Sequence, residues 1–394
     1  MHAHLKAFSV VAALTLALAG CGKEEPKPAT QAAAPAGPAE LVVKIGSVAP
    51  TTGPIAHLGK DNENGVKMAI DDINAKKVMI GGKVLKLVLV AEDDQADPKQ
   101  GTIVAQKLVD DKVAAVIGHL NSGTTIPASK IYADAGIPQI SPSATNPKYT
   151  EQGFKTAFRV VANDIQQGGA LGAYIAKDMG AKKIAIVDDR TAYGQGVADE
   201  VEKAAKASGA EIVAREYTTD KATDFKAILT KIKGTKPDAI FYGGMDATGG
   251  PMAKQARDLG IDSKFVMADG GCSPEFIKLA GDAAEGFICS IPGAPVDKLA
   301  KGEEFKKRYK EKFGTDVQIY SPNSYDATMV VVEAMKKADS ADPAKFLPEI
   351  SKVVYDGVTG KISFDAKGDL NSGAITMYEA KGGKLEPLTT VGGK

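Results

Sequence analysis

From residue 41 onward, short β-branched runs alternate with stretches in which apolar positions recur at helical spacing. Residues 42–48 read as a strand, after which Val66, Ala69, Ile70 and Ile73 fall at i, i+3, i+4 and i+7 on one face of a helix. Residues 84–90 are apolar almost throughout, the pattern of a strand buried on both faces. A strand at 114–117, a helix over 127–135 and a strand at 138–140 continue the alternation. Such a series predicts a mainly parallel sheet wound with helices.

A second series of the same kind begins near residue 164. Helices are predicted over 168–179, 196–208, 225–232 and 251–259, interleaved with strands at 183–187, 211–216, 239–242 and 265–267. Beyond 292–295, helical segments at 303–313 and 322–338 follow with no strand between them, so this tract is expected to complete an existing sheet. The fold class is therefore α/β with two lobes, and the chain crosses between them more than once through a multi-strand hinge. Lobe 1 is expected to comprise 41–163 plus 293–370, and lobe 2 164–292 plus 371–394.

Residues 1–40 differ in character. Lys6 and the amino terminus supply positive charge, an apolar stretch runs from Phe8 to Ala19, and Leu16-Ala17-Leu18-Ala19-Gly20 leads into Cys21. This is the pattern of a lipoprotein signal peptide over 1–20, cleaved to expose Cys21 for lipidation. Residues 21–40, rich in Lys, Glu, Pro, Ala and Gln, have no apolar period and are expected to form a disordered tether. The expected location is the cell envelope, in the periplasm, with the membrane reached only through lipid.

Charge balances at 49 basic and 49 acidic side chains, which leaves no electrostatic footprint for nucleic acid and favours a small-molecule partner. Besides Cys21 there are Cys272 and Cys289, which an exported compartment allows either to pair or to remain as separate buried thiols. His57 and His119 are too isolated for a metal site or an acid/base pair and read as loop or rim residues. No metal or cofactor is expected. Without a Gly-x-Ser-x-Gly elbow, paired histidines or a Walker loop, the chain does not read as an enzyme.

Open α/β sheets bind ligands at the carboxyl ends of their strands. That rule nominates the loops 118–124, 141–145, 192–194, 243–246 and 268–271. The first two are rich in hydroxyls and glycine before helices and suit an anion, although Ser122 and Thr145 taken singly read first as helix caps. Asp269, a lone carboxylate after an apolar strand, suits a primary ammonium or is a turn residue. Hydroxyl loops on one lobe facing a carboxylate on the other would pair both charges of an α-amino acid.

These residues carry a resemblance that spans nearly the whole chain after the leader. The matching stretches include Ile45-Gly46 through Thr52-Gly53-Pro54, Asp71-Asp72-Ile73-Asn74-Ala75-Lys76, Asp93 to Gln100, Val116-Ile117-Gly118-His119-Leu120, Tyr193-Gly194-Gln195-Gly196, Tyr242-Gly243-Gly244 and Lys367-Gly368-Asp369-Leu370. The chain resembles the Leu/Ile/Val-binding proteins, type I periplasmic solute-binding components of branched-chain amino acid ABC importers. The resemblance implies that Ser122 and Thr145 hold the ligand carboxylate, with Ala144 beside them and Ser143 offering its carbonyl. Asp269 would take the ammonium, Tyr193 would close over the ligand, and Tyr320 would line the side-chain pocket. Leu58 and Met245 stand where well-known members place aromatics, and Ala96 and Asn121 lie near positions of a family cysteine pair. Cys272 and Cys289 would instead brace lobe 2. The implied partners are an amino acid and the permease subunits of an ABC transporter; the rival readings are a binder of another amino acid, amide or small carboxylate, or a ligand sensor acting on a separate receptor.

Overall fold

A computed structural model describes residues 38–371 and 373–392; the leader, Cys21 and nearly all of the expected tether lie outside the described residues. Glu40, placed in the tether by composition, is the first residue of β1 (Glu40–Ala49). After β1 come α1 (Ala56–Lys76), β2 (Met79–Ile80), β3 (Lys83–Asp93), α2 (Pro98–Asp110), β4 (Ala115–Gly118), α3 (Ser122–Asp134), β5 (Gln139–Ser141), α4 (Lys148–Glu151) and β6 (Ala157–Arg159). Their strands form one sheet in the order β2-β3-β1-β4-β5-β6, parallel except for β2.

The second series is α5 (Asp164–Lys177), β7 (Lys183–Asp188), α6 (Ala192–Ala207), β8 (Glu211–Tyr217), α7 (Lys226–Thr235), β9 (Ala239–Gly243), α8 (Asp246–Asp258), β10 (Lys264–Met267), α9 (Pro274–Ala280) and β11 (Ile288–Pro292). Next come α10 (Gly302–Phe313), α11 (Ser321–Ala338), α12 (Pro343–Ile350), the short pair β12 (Tyr355–Asp356) and β13 (Lys361–Ile362), and the hairpin β14 (Ile375–Lys381) and β15 (Lys384–Val391). The second sheet runs β15-β14-β11-β10-β9-β7-β8, with the last hairpin antiparallel at one edge.

Each sheet is a lobe with its own core. Phe305, Tyr309, Met335 and Phe346 from α10, α11 and α12 pack with Val66, Ile70 and Ile73 of α1 over the first sheet. The tract 303–338 thus covers that sheet as helices and adds no strand to it. On the second sheet, Leu171, Ile175, Val197 and Val201 form the core on one face, and Leu229, Ile232, Met252 and Phe276 that on the other. The chain passes between the sheets after β6, after β11 and before β14.

Local chemistry sets several boundaries. Asp97 caps α2 by accepting the backbone N–H groups of Lys99 and Gln100 at 2.8 and 3.0 Å, with Pro98 at the first helical position. A capping box between Asn163 and Gln166 starts α5, where the chain enters the second lobe. Four helices start four or five residues before the expected positions: α3 at Ser122, α5 at Asp164, α6 at Ala192 and α8 at Asp246. The first turns of α3, α6 and α8 contain small, hydroxyl and glycine residues, which carry no amphipathic period, and that of α5 is polar apart from Ile165. The expectation that 84–90 is buried on both faces is also corrected. In β3, Leu85 and Leu87 are buried while Lys86 and Val88 on the opposite face are exposed, because the core on that face is built on β1, β4, α2 and α3 and reaches β3 only at Val90.

One buried ion pair ties the first lobe to the crossing segments. Arg159 at the end of β6 is fully buried, with Nε 2.6 Å from Oδ1 of Asp369. Its other nitrogens donate to the carbonyls of Ala144 at 2.7 Å and Asn146 at 3.0 Å and to the Thr150 hydroxyl at 3.0 Å. Asn163, the cap of α5, donates to the second Asp369 oxygen at 3.3 Å. Arg159→Met would leave the buried Asp369 carboxylate without its counter-charge and take the guanidinium donors from the carbonyls of Ala144 and Asn146. It should destabilise the protein by roughly 3–5 kcal/mol, read as a lower midpoint in guanidinium unfolding; a loss below about 1 kcal/mol would show that water replaces the guanidinium.

Candidate functional site

At the carboxyl ends of the strands of both sheets, one cavity is lined by Leu120, Asn121, Ser122, Ser143, Tyr193, Met245, Asp269 and Tyr320. Its volume is about 10 Å³, room for about one water molecule. Seven of these residues were expected from sequence to form a site. Leu120 was included only as part of the nominated loop 118–124 and of a family stretch.

The first-lobe wall is built on the β4–α3 turn. Gly118 ends β4 with φ of +134°, and a Cβ there would lie 2.3 Å from the carbonyl oxygen of Val48. Only glycine fits this approach. The next residue, His119, was expected on a loop or rim but is fully buried. Its Nδ1 lies 2.8 Å from Asp94 and its Nε2 3.0 Å from the Tyr132 hydroxyl, while its carbonyl accepts from Ser141 at 2.9 Å and Thr125 at 3.1 Å. His119 is a strut joining the two hydroxyl-bearing loops.

Above this strut, α3 begins at Ser122, so its first backbone N–H groups have no helical acceptor. The Ser122 hydroxyl is not a cap; it accepts from the Asn146 N–H at 3.2 Å. Ser143 donates to the Leu120 carbonyl at 3.0 Å. Ala144 and Thr145 sit in the wall behind the lining, both buried, and the Thr145 hydroxyl has no partner. Leu58 is likewise a backing residue, fully buried in a cluster with Leu120, Ile319 and Tyr320 against which Met245 packs.

Two first-lobe residues that sequence reasoning missed support the lining. The carboxylate of Asp61, buried on α1, accepts four consecutive backbone N–H groups, from Gln318 at 3.1 Å, Ile319 at 3.0 Å, Tyr320 at 2.8 Å and Ser321 at 2.9 Å. Beside it Asn62 donates to Ser143 at 3.4 Å. Both polar residues interrupt the apolar face of α1, and that interruption was the available signal.

The second-lobe wall comes from the first turns of α6 and α8 and from the segment after β10. Asp269 is 1% exposed. Its two oxygens accept from Tyr193 at 2.9 Å and from Tyr320 of the other lobe at 2.6 Å, and the Tyr193 hydroxyl in turn accepts from the Gly270 N–H at 2.8 Å. Burial pushes the Asp269 carboxyl up from its usual range, and the two phenols offset only part of that. Burial and the charge of Asp269 hold Tyr193 and Tyr320 well above the ordinary tyrosine value, so both remain donors. Cys272, three residues on, is joined to Cys289 on β11, with the Cα atoms 5.4 Å apart. The disulfide ties the Asp269 segment to the neighbouring strand.

The lobes also meet at the Asn146 amide, which donates to the Ala192 carbonyl at 2.6 Å, and at His57, whose Nε2 lies 2.7 Å from Asp246. Among the described residues no cluster of side chains could hold a metal ion, and no helix is long and apolar enough to cross a membrane. The arrangement offers hydroxyls and helix-terminal N–H groups on one side and a buried carboxylate on the other, which is chemistry for holding a small polar molecule.

A two-lobed α/β fold with a polar cavity between its lobes defines a periplasmic-binding-protein architecture. Residues 42–384 match the family model described as periplasmic binding protein. The chain is 38% identical over 344 residues to Leu/Ile/Val-binding protein homolog 1 of Brucella abortus, covering 86% of this chain and 90% of that protein. It is 35% identical to a leucine-, isoleucine-, valine-, threonine- and alanine-binding protein of Pseudomonas aeruginosa, covering 86% and 89%. Among solved structures it is similar to LivJ, the branched-chain amino acid transporter substrate-binding protein of Streptococcus pneumoniae in complex with isoleucine. The TM-score is 0.80 and the identity 30%, over 90% of this chain and 100% of that one. The chain belongs to the periplasmic binding protein family, among relatives named for branched-chain amino acids.

Asp164, the first residue of α5, is buried behind Thr145, and both of its carboxyl oxygens lack partners. Burial, reinforced by the charge of Asp269, pushes its pKa up to about 8 from an ordinary 3.8. The unfolded chain releases this proton at the lower value, so the stability from this group is complete below 3.8 and falls as pH rises toward 8. Asp164→Asn, which cannot ionise, should therefore lose less thermal stability than the wild type between about pH 5 and about pH 8. Calorimetric melts with equal pH slopes for the two proteins would contradict this.

Proposed function

We propose that the protein is an extracytoplasmic substrate-binding protein that captures leucine, isoleucine or valine by lobe closure and delivers it to the permease subunits of an ABC importer. The observation that carries this reading is Asp269, a buried carboxylate held by a tyrosine from each lobe and facing Ser122 across one cavity. In this reading Ser122 binds the ligand carboxylate through its hydroxyl and backbone N–H, and Ser143, with Ala144 and Thr145 behind it, completes that wall. Asp269 binds the ammonium, and Tyr193 covers it. Leu58, Leu120, Asn121, Met245 and Tyr320 surround the side chain, and the aliphatic members of that set favour an apolar one. Closure makes both halves of this contact set available at once, so ligand shifts the population toward the closed form.

The names of the relatives support the same ligand class. A bare carboxylate ligand fits less well, because it leaves the charge on Asp269 unpaired in a buried site. The role involves no bond chemistry, so we read the protein as a binder rather than an enzyme. We further propose that residues 41–163 with 293–370 move against 164–292 with 371–394. Lipid on Cys21 would hold the protein at the periplasmic face of a membrane and raise its effective concentration at the permease.

Protein unfolded and refolded to strip bound ligand should show a raised melting temperature with Leu, Ile or Val. At about 100 times the dissociation constant the gain is roughly 2.7 kcal/mol. A shift with aromatic acids or amides alone would redirect the assignment. Asp269→Ala should abolish the response to all three amino acids while the variant still melts cooperatively, and a retained response would remove Asp269 from the site. Expressed in a diderm host, the wild type should fractionate with membranes and Cys21→Ser with the soluble periplasmic contents; identical fractionation would refute the anchor.

A further inference from the structure

His57 and Asp246 form a contact that none of the roles above uses. His57 is the second residue of α1 in the first lobe, and Asp246 is the first residue of α8 in the second. They meet across the cleft with Nε2 2.7 Å from Oδ2. The His57 side chain is 23% exposed, whereas that of Asp246 is completely buried. Ser273 also donates to the same Asp246 oxygen, and the other oxygen has no partner within the described residues. Asp246 therefore presents a buried negative charge for which His57 is the cation within reach, aided by its place at a helix amino terminus.

The sequence neighbours of the pair give it a consequence for ligand capture. Leu58 follows His57 and Met245 precedes Asp246. These two apolar side chains belong to one cluster spanning the lobes beside the cavity. A bond between His57 and Asp246 thus fixes the separation of the two residues assigned to the side-chain pocket.

We propose that His57 and Asp246 form a proton-linked clamp that closes the lobes over the ligand and sets the Leu58–Met245 wall of the side-chain pocket. The proposal rests on the lobe-closure reading above, but it does not depend on which amino acid is bound. His57 and Asp246 are positioning residues, since neither lines the cavity.

The direction of the linkage follows from the groups around His57. Its partial burial disfavours the imidazolium. The hydrogen bond and charge of Asp246, with the charges of Glu275 on α9 and Asp61 on α1, outweigh that and raise its pKa from 6.5. When the lobes part, the Asp246 contact is lost and His57 returns toward its ordinary value. A raised pKa in the closed form means that closure takes up a proton. The stabilisation of the closed form is complete below the open-form value and is lost as pH rises through the closed-form value.

Two measurements on the same proteins test this. Small-angle scattering of the ligand-free wild type should give a smaller radius of gyration at about pH 5.5 than at about pH 8.5. That difference should vanish in His57→Gln and in Asp246→Asn. Leucine affinity by titration calorimetry should be several-fold weaker at the higher pH in the wild type, and the change should be largely absent in His57→Gln. Asp164 titrates in the same range, so the difference between wild type and variant is the readout. Parallel pH profiles in wild type and His57→Gln, or pH-independent scattering of the wild type, would overturn the clamp. If leucine binds at neither pH while scattering keeps its His57-dependent change, the ligand assignment falls and the clamp stands.

Discussion

A carboxylate with almost no exposure to water sits where the two lobes touch, and the surrounding structure is arranged to satisfy it. Asp269 receives one phenol from its own lobe and one from the other. Two neutral donors do not replace the hydration of a full charge, and so its proton affinity is raised. Two outcomes relieve this: the lobes part and water returns, or a cation enters between them. The first is an open form and the second a ligand complex. The same buried charge thus ties the interlobe contact to the chemistry of what fills the cavity.

The first lobe meets this demand with rigid polar supports placed under short loops. Arg159 clamps the carbonyls of Ala144 and Asn146, His119 joins the turns after β4 and β5, and Asp61 gathers the backbone amides leading to Tyr320. Each support is buried and multiply bonded, so it holds a backbone position rather than touching the cavity. Rigid placement matters because a donor displaced by an ångström no longer reaches a carboxylate. The second lobe relies instead on helix starts and on the Cys272–Cys289 bond, which fixes the Asp269 segment to β11.

Sequence periodicity revealed the two α/β series and most of their strands, because strands in parallel sheets are dense in apolar residues. It failed where a residue's environment is set from far along the chain. Nothing near Arg159 marks it as buried, since its partner Asp369 lies 210 residues away. The starts of α3, α6 and α8 were missed for a different reason. Their first turns face the cleft and are made of residues chosen for contact and close approach: Gly194, for instance, would place a Cβ 2.4 Å from the Gly243 carbonyl oxygen. The hairpin of β14 and β15 was legible but unread. Gly382 and Gly383, both with positive φ, sit between the two strands as a two-residue turn. Of the seven cavity residues recognised, Tyr320 came only through the family resemblance, and the other six lie in loops nominated by the strand ends, where hydroxyls and a lone carboxylate keep their chemical character in one dimension. The supports behind them do not.

Closure of such a cleft has to be reversible, and the kinds of bond across it bear on that. The interlobe contacts at Tyr320, Asn146 and His57 are hydrogen bonds between groups that water can solvate when the lobes separate. Bonds of this kind contribute roughly 0.5–1.5 kcal/mol net when neutral and about twice that when charged. Moving a two-state population from mostly open to mostly closed requires a differential of about 5.5 kcal/mol. The three contacts together are of that order only if each is near its upper limit, and the ordering of the lobes opposes them. A ligand that pairs Asp269 and engages the free N–H groups of α3 adds charge-assisted bonds that exist only in the closed form. The interlobe contacts therefore set the geometry of closure and lower what the ligand must supply, while the buried carboxylate decides which ligands can supply it.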